Sequence, residues 1–332
     1  MTSNSQPIHI GILGTAQIAK CMVAPAILSL PQDFHLVGVA SRSNDSARSF
    51  AGITQLPTYS NYEALLDIRG LQAVYIPLPN ALHAEWIEQS LQRGLHVLVE
   101  KSLACNLTDV AHLNQLAESK GLALVENFQF RYHRQLAVIR DMVASSRLGN
   151  LRLIRSSFGF PPFADADNIR YKKDLGGGAL LDTGAYPLKI AQSLLGADLE
   201  LQSASLTIDS TRTVDINGSF SLLHRASGVA VQGAFGFDHQ YQCSLELWGS
   251  KGRLFTNRIF TAPAGYAPKL YLEIGSTKET ITVEQDYHFQ NILRHFKALI
   301  QGTADKSDEY RQNLSQAQLI AQVFAQATYL YE

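Results

Sequence analysis

The stretch IHIGILGTAQIAK, residues 8–20, decides how the chain is read. It opens with an unbroken apolar run, IHIGIL, that reads as a strand, and then turns at Gly14 into a helical pattern. Gly11 stands at the strand end, and Gly14, Ala16 and Ala19 carry the spacing G-x-G-x-x-G/A. A glycine at 14 permits a tight turn, and a small residue at 19 lets the helix pack closely on the strand. The helix N-terminus then offers backbone donors and a positive dipole to a pyrophosphate. Ala16 occupies the place of the motif's second glycine, and its methyl group narrows the backbone's approach to phosphate. The competing reading is a glycine turn without a ligand, but the strand before it and the helix after it are the context a dinucleotide fingerprint demands. Gly11, Gly14, Thr15, Ala16, Gln17 and Ile18 are the expected cofactor contacts of this turn.

The rest of residues 1–127 keeps the same alternation. Apolar runs LVGVAS, AVYIPL, HVLVEK and LALVEN are separated by the helical patterns NYEALLDI, NALHAEWIEQSLQRG and LTDVAHLNQLAESKG. Continuous rather than alternating apolar runs mean that both faces of the sheet are covered, which marks a parallel sheet. Right-handed crossovers then give a doubly wound (Rossmann) domain whose ligand sits at the carboxyl ends of the strands. Beyond residue 150 the pattern changes to longer, partly alternating runs such as LRLIRSSFGF, CSLELWGSKGRLF and KLYLEIGSTKETITVEQ, joined by Asn-Gly, Ser-Gly and Gly-Ser turns. The expected fold class is therefore α/β: a dinucleotide-binding domain over 1–127, and over 128–332 an α+β domain with a largely antiparallel, open-faced sheet. Helices near 288–301 and 308–330 are expected to close the chain. The open sheet face suits substrate or a second subunit.

Composition excludes several classes. The chain has 332 residues, 46% apolar and 17% charged, with a net charge of −1, so it has material for packed cores and no general attraction for nucleic acid or anionic lipid. Cys21, Cys105 and Cys243 are odd in number and widely spaced, unlike a zinc or disulfide framework, and no metal is expected. No basic, small-residue leader and no apolar run of spanning length is read, so a cytoplasmic protein is expected.

Three positions carry chemistry. At the end of the second strand Ser41, Arg42 and Ser43 offer a cation and hydroxyls where an acidic residue would bind the ribose 2′-hydroxyl of NAD. NADP(H) is the expected cofactor, with NAD(H) possible if Arg42 is a solvated surface residue. Glu100 and Lys101 end the HVLVEK strand, on the rim facing a nicotinamide; a lysine that simply emerges into water is the plainer reading. In DLGGGALLDTGAYPL, Gly176 to Gly178 allow close backbone approach, and Asp182 and Tyr186, four apart, share a helical face. They form either a core hydrogen-bonded pair or a site in which a cation such as Lys101 lowers the pKa of Tyr186 while the carboxylate orients it.

These motifs, in this order, resemble those of the oxidoreductases typified by glucose-fructose oxidoreductase and inositol 2-dehydrogenase (the Gfo/Idh/MocA family). The likeness covers GILGTAQIA, YIPLPNALHAEW, EKSLACN and GGGALLDTGAYPL, nearly the whole chain. It implies Lys101 as the motif lysine, Asp182 as the helix aspartate and Tyr186 as proton donor, with His83 beside the nicotinamide. It also places Pro77, Leu78, Asn80 and Glu100 among the cofactor contacts. Ser102 departs from the family's usual proline, which leaves the backbone after Lys101 less constrained. ENFQFRYH and NIRYKKDLGGG look most similar to sugar ketoreductases on nucleotide-linked deoxysugars and to the dihydrodiol and xylose dehydrogenases. On that likeness Asn127, Arg131, Arg170 and Tyr171 are substrate contacts. The implied function is an NADP-dependent oxidoreductase moving a hydride between nicotinamide and a carbonyl or hydroxyl carbon of a sugar-like molecule, as a homo-oligomer through the open sheet. A dinucleotide-sensing regulator, which the family also contains, has no need of Lys101, Asp182 and Tyr186 together.

Overall fold

The computed structural model describes residues 6–43, 46–48, 50 and 56–332. It divides into two compact units, Met1–Asn127 with Phe289–Leu314, and Phe128–His288 with Ser315–Glu332.

In the first unit six strands, β1 (Ile8–Leu13), β2 (Phe34–Ala40), β3 (Thr58–Tyr59), β4 (Ala73–Ile76), β5 (His96–Val99) and β6 (Leu124–Glu126), form one sheet in the order β3-β2-β1-β4-β5-β6. Every pairing is parallel. The apolar runs explain this, because Ile10, Ile12, Tyr75, Ile76, Val97, Leu98 and Leu124 are all fully buried. Strand order reverses between β1 and β4, which places a crevice outside the carboxyl ends of those two strands. β3, only two residues long, is too short for its periodicity to be read in advance.

The helices α1 (Ala24–Leu28), α2 (Tyr62–Leu66), α3 (Asn80–Gln92) and α4 (Leu107–Ser119) flank this sheet. Asn61 and Asn106 cap α2 and α4, their side-chain oxygens accepting from Ala64 N at 2.7 Å and Asp109 N at 2.9 Å. A later pair of helices, His288–Ile300 and Lys306–Gln326, contributes Phe289–Leu314 to this same unit, where the sequence reading assigns all of 128–332 to the second domain. The reason is a set of long-range polar contacts that local periodicity does not reveal. Lys297 bonds Asp33 at 2.6 Å, Asn313 donates to Leu124 O at 3.1 Å, and Asn114 donates to Tyr310 O at 2.8 Å.

The second unit contains α5 (Arg134–Ala144), α6 (Ala185–Leu195) and nine strands: β7 (Leu151–Gly159), β8 (Leu199–Asp209), β9 (Val214–His224), β10 (Val229–Gly236), β11 (Gln242–Gly249), β12 (Gly252–Asn257), β13 (Lys269–Ile274), β14 (Thr277–Thr282) and β15 (Thr328–Tyr331). Their order is β14-β13-β12-β11-β7-β10-β9-β8-β15. The sheet is antiparallel except where β10 joins β7 and β15 joins β8. The expected helix over 308–330 stops at Gln326, and the β-favouring residues TYLY that follow add β15 to the sheet edge. One face of the sheet buries Ile154, Leu222, Val231 and Leu245. Trp248 on β11 and Tyr271 on β13 are 52% and 40% exposed.

Candidate active site

In the first unit the polar groups gather at the carboxyl rim of the sheet. Gly14 follows β1, donates to Ala40 O at 2.9 Å and has φ +120°, a conformation costly for any other residue. A Cβ there would also lie 2.8 Å from Leu78 Cδ2, so the turn closes directly on the Pro77–Leu78 segment. Thr15 and Ala16 follow, and the helical pattern begins at Gln17, whose first-turn amides have no partners within the helix. Gly11 plays a different part from the one expected. Its Cβ would meet Leu65 Cδ2 at 2.5 Å, so it is a buried packing residue beneath the turn rather than a ligand contact. Ile18 continues the helix into Ala19–Val23, a π-wound turn. At the end of β2, Ser41 is buried and its Oγ accepts from Ser43 N at 3.2 Å, while Arg42 and Ser43 are exposed. The Arg42 side chain is hydrogen-bonded with Tyr62, a buried tyrosine whose pKa is raised by burial, with Arg42 opposing.

The rim beyond β4, β5 and β6 is built around carboxylates. Glu100 Oε1 accepts from Tyr75 Oη at 2.6 Å and from Asn127 Nδ2 at 2.5 Å. Burial raises the Glu100 pKa, and those two hydrogen bonds and the neighbouring Lys101 oppose the rise. Asn127 is itself buried, and its Oδ1 has no hydrogen-bond partner among the described residues. Lys101 is half-buried, and the Lys101–Ser102 peptide bond is cis. The loop after Lys101 is held from two sides. Glu126 Oε1 accepts from Leu103 N at 2.9 Å, and His83 Nδ1 lies 2.7 Å from Ser102 O. His83 Nε2 lies 2.8 Å from Leu78 O, so this fully buried ring ties the Leu78 segment at the start of α3 to the lysine loop. Both its nitrogens face carbonyls of its own chain. Asn80, three residues earlier, opens α3 at the same rim.

In the second unit, chain packing explains two of the three glycines, Gly177 and Gly178. Gly178 donates to Arg170 O at 2.9 Å, and a Cβ on Gly177 would meet that same oxygen at 2.5 Å. A Cβ on Gly178, at φ +117°, would run into Asp215 Oδ1. The segment that follows is not a regular helix throughout. Leu180–Gly184 is π-wound and carries Asp182, and α6 continues it and carries Tyr186. Both side chains are buried. Asp182 Oδ2 accepts from Arg170 Nε at 2.5 Å, so Arg170, expected to face substrate, is an ion-pair partner of Asp182. Tyr186 is enclosed by rings of Phe128, Phe130, Phe158 and Phe260, with centroids 5.0 to 5.9 Å away. Tyr171, another expected substrate contact, is buried; its Oη accepts from Phe163 N at 3.1 Å, and the Arg212 guanidinium lies over its ring. It braces the loop before the glycines. Arg131 is half-buried, with its guanidinium 5.2 Å from the Tyr132 ring centre.

Three residues of these surroundings escape sequence reading. Asp215 of β9 is buried and accepts from Leu180 N at 2.5 Å. Lys189, fully buried one turn after Tyr186, sets its ammonium 5.3 Å from the Phe128 ring centre. Glu126 is buried at the end of β6. For Lys189 and Glu126 a charged residue inside an otherwise apolar run was the signal available; Asp215, within TVDING, stands in no such run.

In the first unit a glycine turn leading into a helix, a cation and hydroxyls after β2 and, at the sheet rim, an amide oxygen with no donor among the described residues are the features of a nicotinamide-dinucleotide oxidoreductase. Comparison with known proteins gives the particular group. A family model described as the oxidoreductase family, NAD-binding Rossmann fold, matches residues 8–128, and the GFO/IDH/MocA C-terminal domain matches residues 136–255. The chain belongs to the GFO/IDH/MocA oxidoreductase family. It is similar to the dTDP-3,4-didehydro-2,6-dideoxy-alpha-D-glucose 3-reductase of Streptomyces violaceoruber, 42% identical over 82% of this chain and 79% of the relative. The reductase of the same name from Actinomadura kijaniata is 37% identical over 99% of this chain and 98% of its own. D-xylose 1-dehydrogenase (NADP(+)) 2 of Haloferax volcanii is 35% identical over 78% and 79%. Among solved structures, a 3-ketoreductase from Actinomadura kijaniata in complex with NADP and TDP-benzene superposes with a TM-score of 0.94 at 37% identity, covering 98% of this chain and 100% of that one. Among the described residues no helix is long and apolar enough to cross a membrane, and no cluster of metal-ligating side chains occurs.

Burial pushes the His83 pKa down from 6.5 to about 4; its contacts with Ser102 O and Leu78 O oppose the shift, and Lys101 adds to it. Above 6.5 the ring is neutral in both states. Between 6.5 and about 4 the unfolded chain takes a proton that the folded chain refuses, so stability is lost as pH falls through this window. His288, pushed down to about 3, acts in the same direction, whereas Asp215, pushed up to about 6 by burial, protonates first in the folded state and acts against it. Urea unfolding at about pH 7.5 and about pH 5 should show a stability loss that shrinks by about 2 kcal/mol in His83→Gln. An unchanged pH difference would show that His83 titrates normally in the folded protein.

Proposed function

We infer that the protein is an NADPH-dependent reductase of a keto group on a nucleotide-linked deoxysugar. The observation that carries this reading is the likeness to dTDP-sugar 3-reductases over essentially the full chain, and the resemblance of the segments around Lys101, Asp182 and Tyr186 to the family's motifs supports it. In this reading the amides after Gly14 hold the pyrophosphate, and Arg42 with Ser43 holds the 2′-phosphate. When bound, the cofactor supplies a hydride. Tyr186 gives its hydroxyl proton to the substrate oxygen. In this reading the Lys101 ammonium stabilises negative charge on the substrate oxygen, and Asp182, held by Arg170, orients the proton donor. The similarity to a xylose dehydrogenase supports a second reading, oxidation of a free aldose, and a screen of aldoses against dTDP-keto sugars by NADP(H) absorbance separates the two.

Lys101→Ala and Tyr186→Phe should each lower kcat by roughly two to four orders of magnitude, with NADPH affinity, read by fluorescence titration, nearly unchanged. Turnover above half of wild type in either variant removes that residue from the chemistry.

Arg42→Ala should weaken NADPH by about 1.5 to 3 kcal/mol and leave NADH binding where it was. Equal losses for both cofactors would mean that Arg42 supports the turn rather than a phosphate.

The assembly we infer is a homo-oligomer through the open face of the second sheet, where Trp248 and Tyr271 stand exposed. Light scattering should give a multiple of the chain mass for the wild type and a monomer for Trp248→Glu combined with Tyr271→Glu. A wild-type monomer at micromolar concentration would overturn this.

A further inference from the structure

The helical segment that carries Asp182 and Tyr186 begins with an unusual problem. Its first amides have no partners within the helix, and the residues before it are glycines, which have no side chain to cap them. Ala179, at the capping position, supplies none either. The acceptor comes instead from a strand. Asp215, the second residue of β9 and 5% exposed, accepts from Leu180 N at 2.5 Å, and the Ala179 amide donates to the same carboxyl group. Gly178 is what lets the carboxylate reach them, since a Cβ at that position would occupy the place of Asp215 Oδ1. The turn is tightened further by Thr183 Oγ1, which donates to Ala179 O at 2.9 Å, and by Asp182 N, which donates to Gly178 O at 3.3 Å.

We propose that Asp215 is a positioning residue for the reaction: by clamping Ala179 and Leu180 to β9 it fixes the start of the segment from which Asp182 and Tyr186 project. The inference rests on the reading that Tyr186 is the proton donor. A charged group is favoured at this end of a helix, and a buried one receiving two amides holds its partners in a single geometry. The segment needs that, because its π-wound turn lies between the clamp and Tyr186 and because proton transfer is steeply sensitive to misplacement, with about 1 Å worth roughly 100-fold.

The test uses the full-length enzyme. Asp215→Asn keeps the shape but replaces one acceptor oxygen with a donor that faces the same amides. Turnover of a dTDP-linked 3-keto deoxysugar should fall by roughly 10- to 100-fold in kcat, with KM and the NADPH dissociation constant within about threefold of wild type. Hydrogen exchange followed by mass spectrometry should show faster exchange confined to the peptide spanning 176–186. If Asp215→Asn yields no folded protein, Gly178→Ala displaces the same carboxylate from the opposite side and is read by the same two measurements. A kcat within about threefold of wild type, or faster exchange spread over the whole nine-stranded sheet, overturns the proposal. Tyr186→Phe is measured alongside. If that variant keeps its turnover, the proton-donor reading fails; if it loses turnover while the Asp215 variant does not, only the positioning role fails.

Discussion

Six parallel strands buried on both faces leave polar groups no room except at the strand ends, and this constraint arranges the first unit. The order of the strands reverses between β1 and β4, so the ends of neighbouring strands diverge there, and the segments leaving them stand beside an open crevice. Gly14 leaves β1, Pro77 and Leu78 leave β4, Glu100 and Lys101 leave β5, and Asn127 leaves β6. Four segments far apart in sequence thus share one rim. Their side chains then satisfy each other: Tyr75 and Asn127 share Glu100, Glu126 takes an amide of the lysine loop, and His83 spans two loops. The loop that follows the lysine at the end of this buried strand is thereby held from two sides.

The second unit solves a similar problem by other means. Its sheet is largely antiparallel, and the helix bearing Tyr186 lies across β7 and β10. Tyr186 is set by shape, within a cage of four phenylalanines, and Asp182 by charge, through Arg170. Aromatic packing of this kind restricts the ring while leaving the hydroxyl as the polar end of an otherwise apolar side chain. A buried lysine one turn further on lies with its Nζ against one of those rings.

Much of this was legible in the sequence where the signal is local. The turn at Gly14, the parallel sheet, the antiparallel second sheet, Lys101 at a strand end and the Asp182–Tyr186 spacing all follow from periodicity and from short motifs. What was not legible is pairing across distance. Nothing near Arg170 announces that it will meet Asp182, and nothing near Asp215 announces that it will cap a segment beginning at residue 180. Likeness to relatives makes Tyr171 and His83 ligand contacts, but nothing in the local sequence announces that their polar atoms also meet nearby backbone. The π-wound turn was invisible for a related reason. Propensity favours a helix there without specifying its winding.

The return of Phe289–Leu314 to the first unit bears on how the molecule is made. A chain emerging from a ribosome N-terminal end first presents the strands β1 to β6 early, but the helical residues that accept Asn114 and reach Leu122 and Leu124 are synthesised only after β7 to β14. Until they emerge, that flank of the parallel sheet has an unfilled apolar and polar surface. Folding of the nucleotide domain is therefore completed only after most of the sheet domain encoded between its two parts has been translated, and termination before residue 289 costs the first-made unit as well as the second.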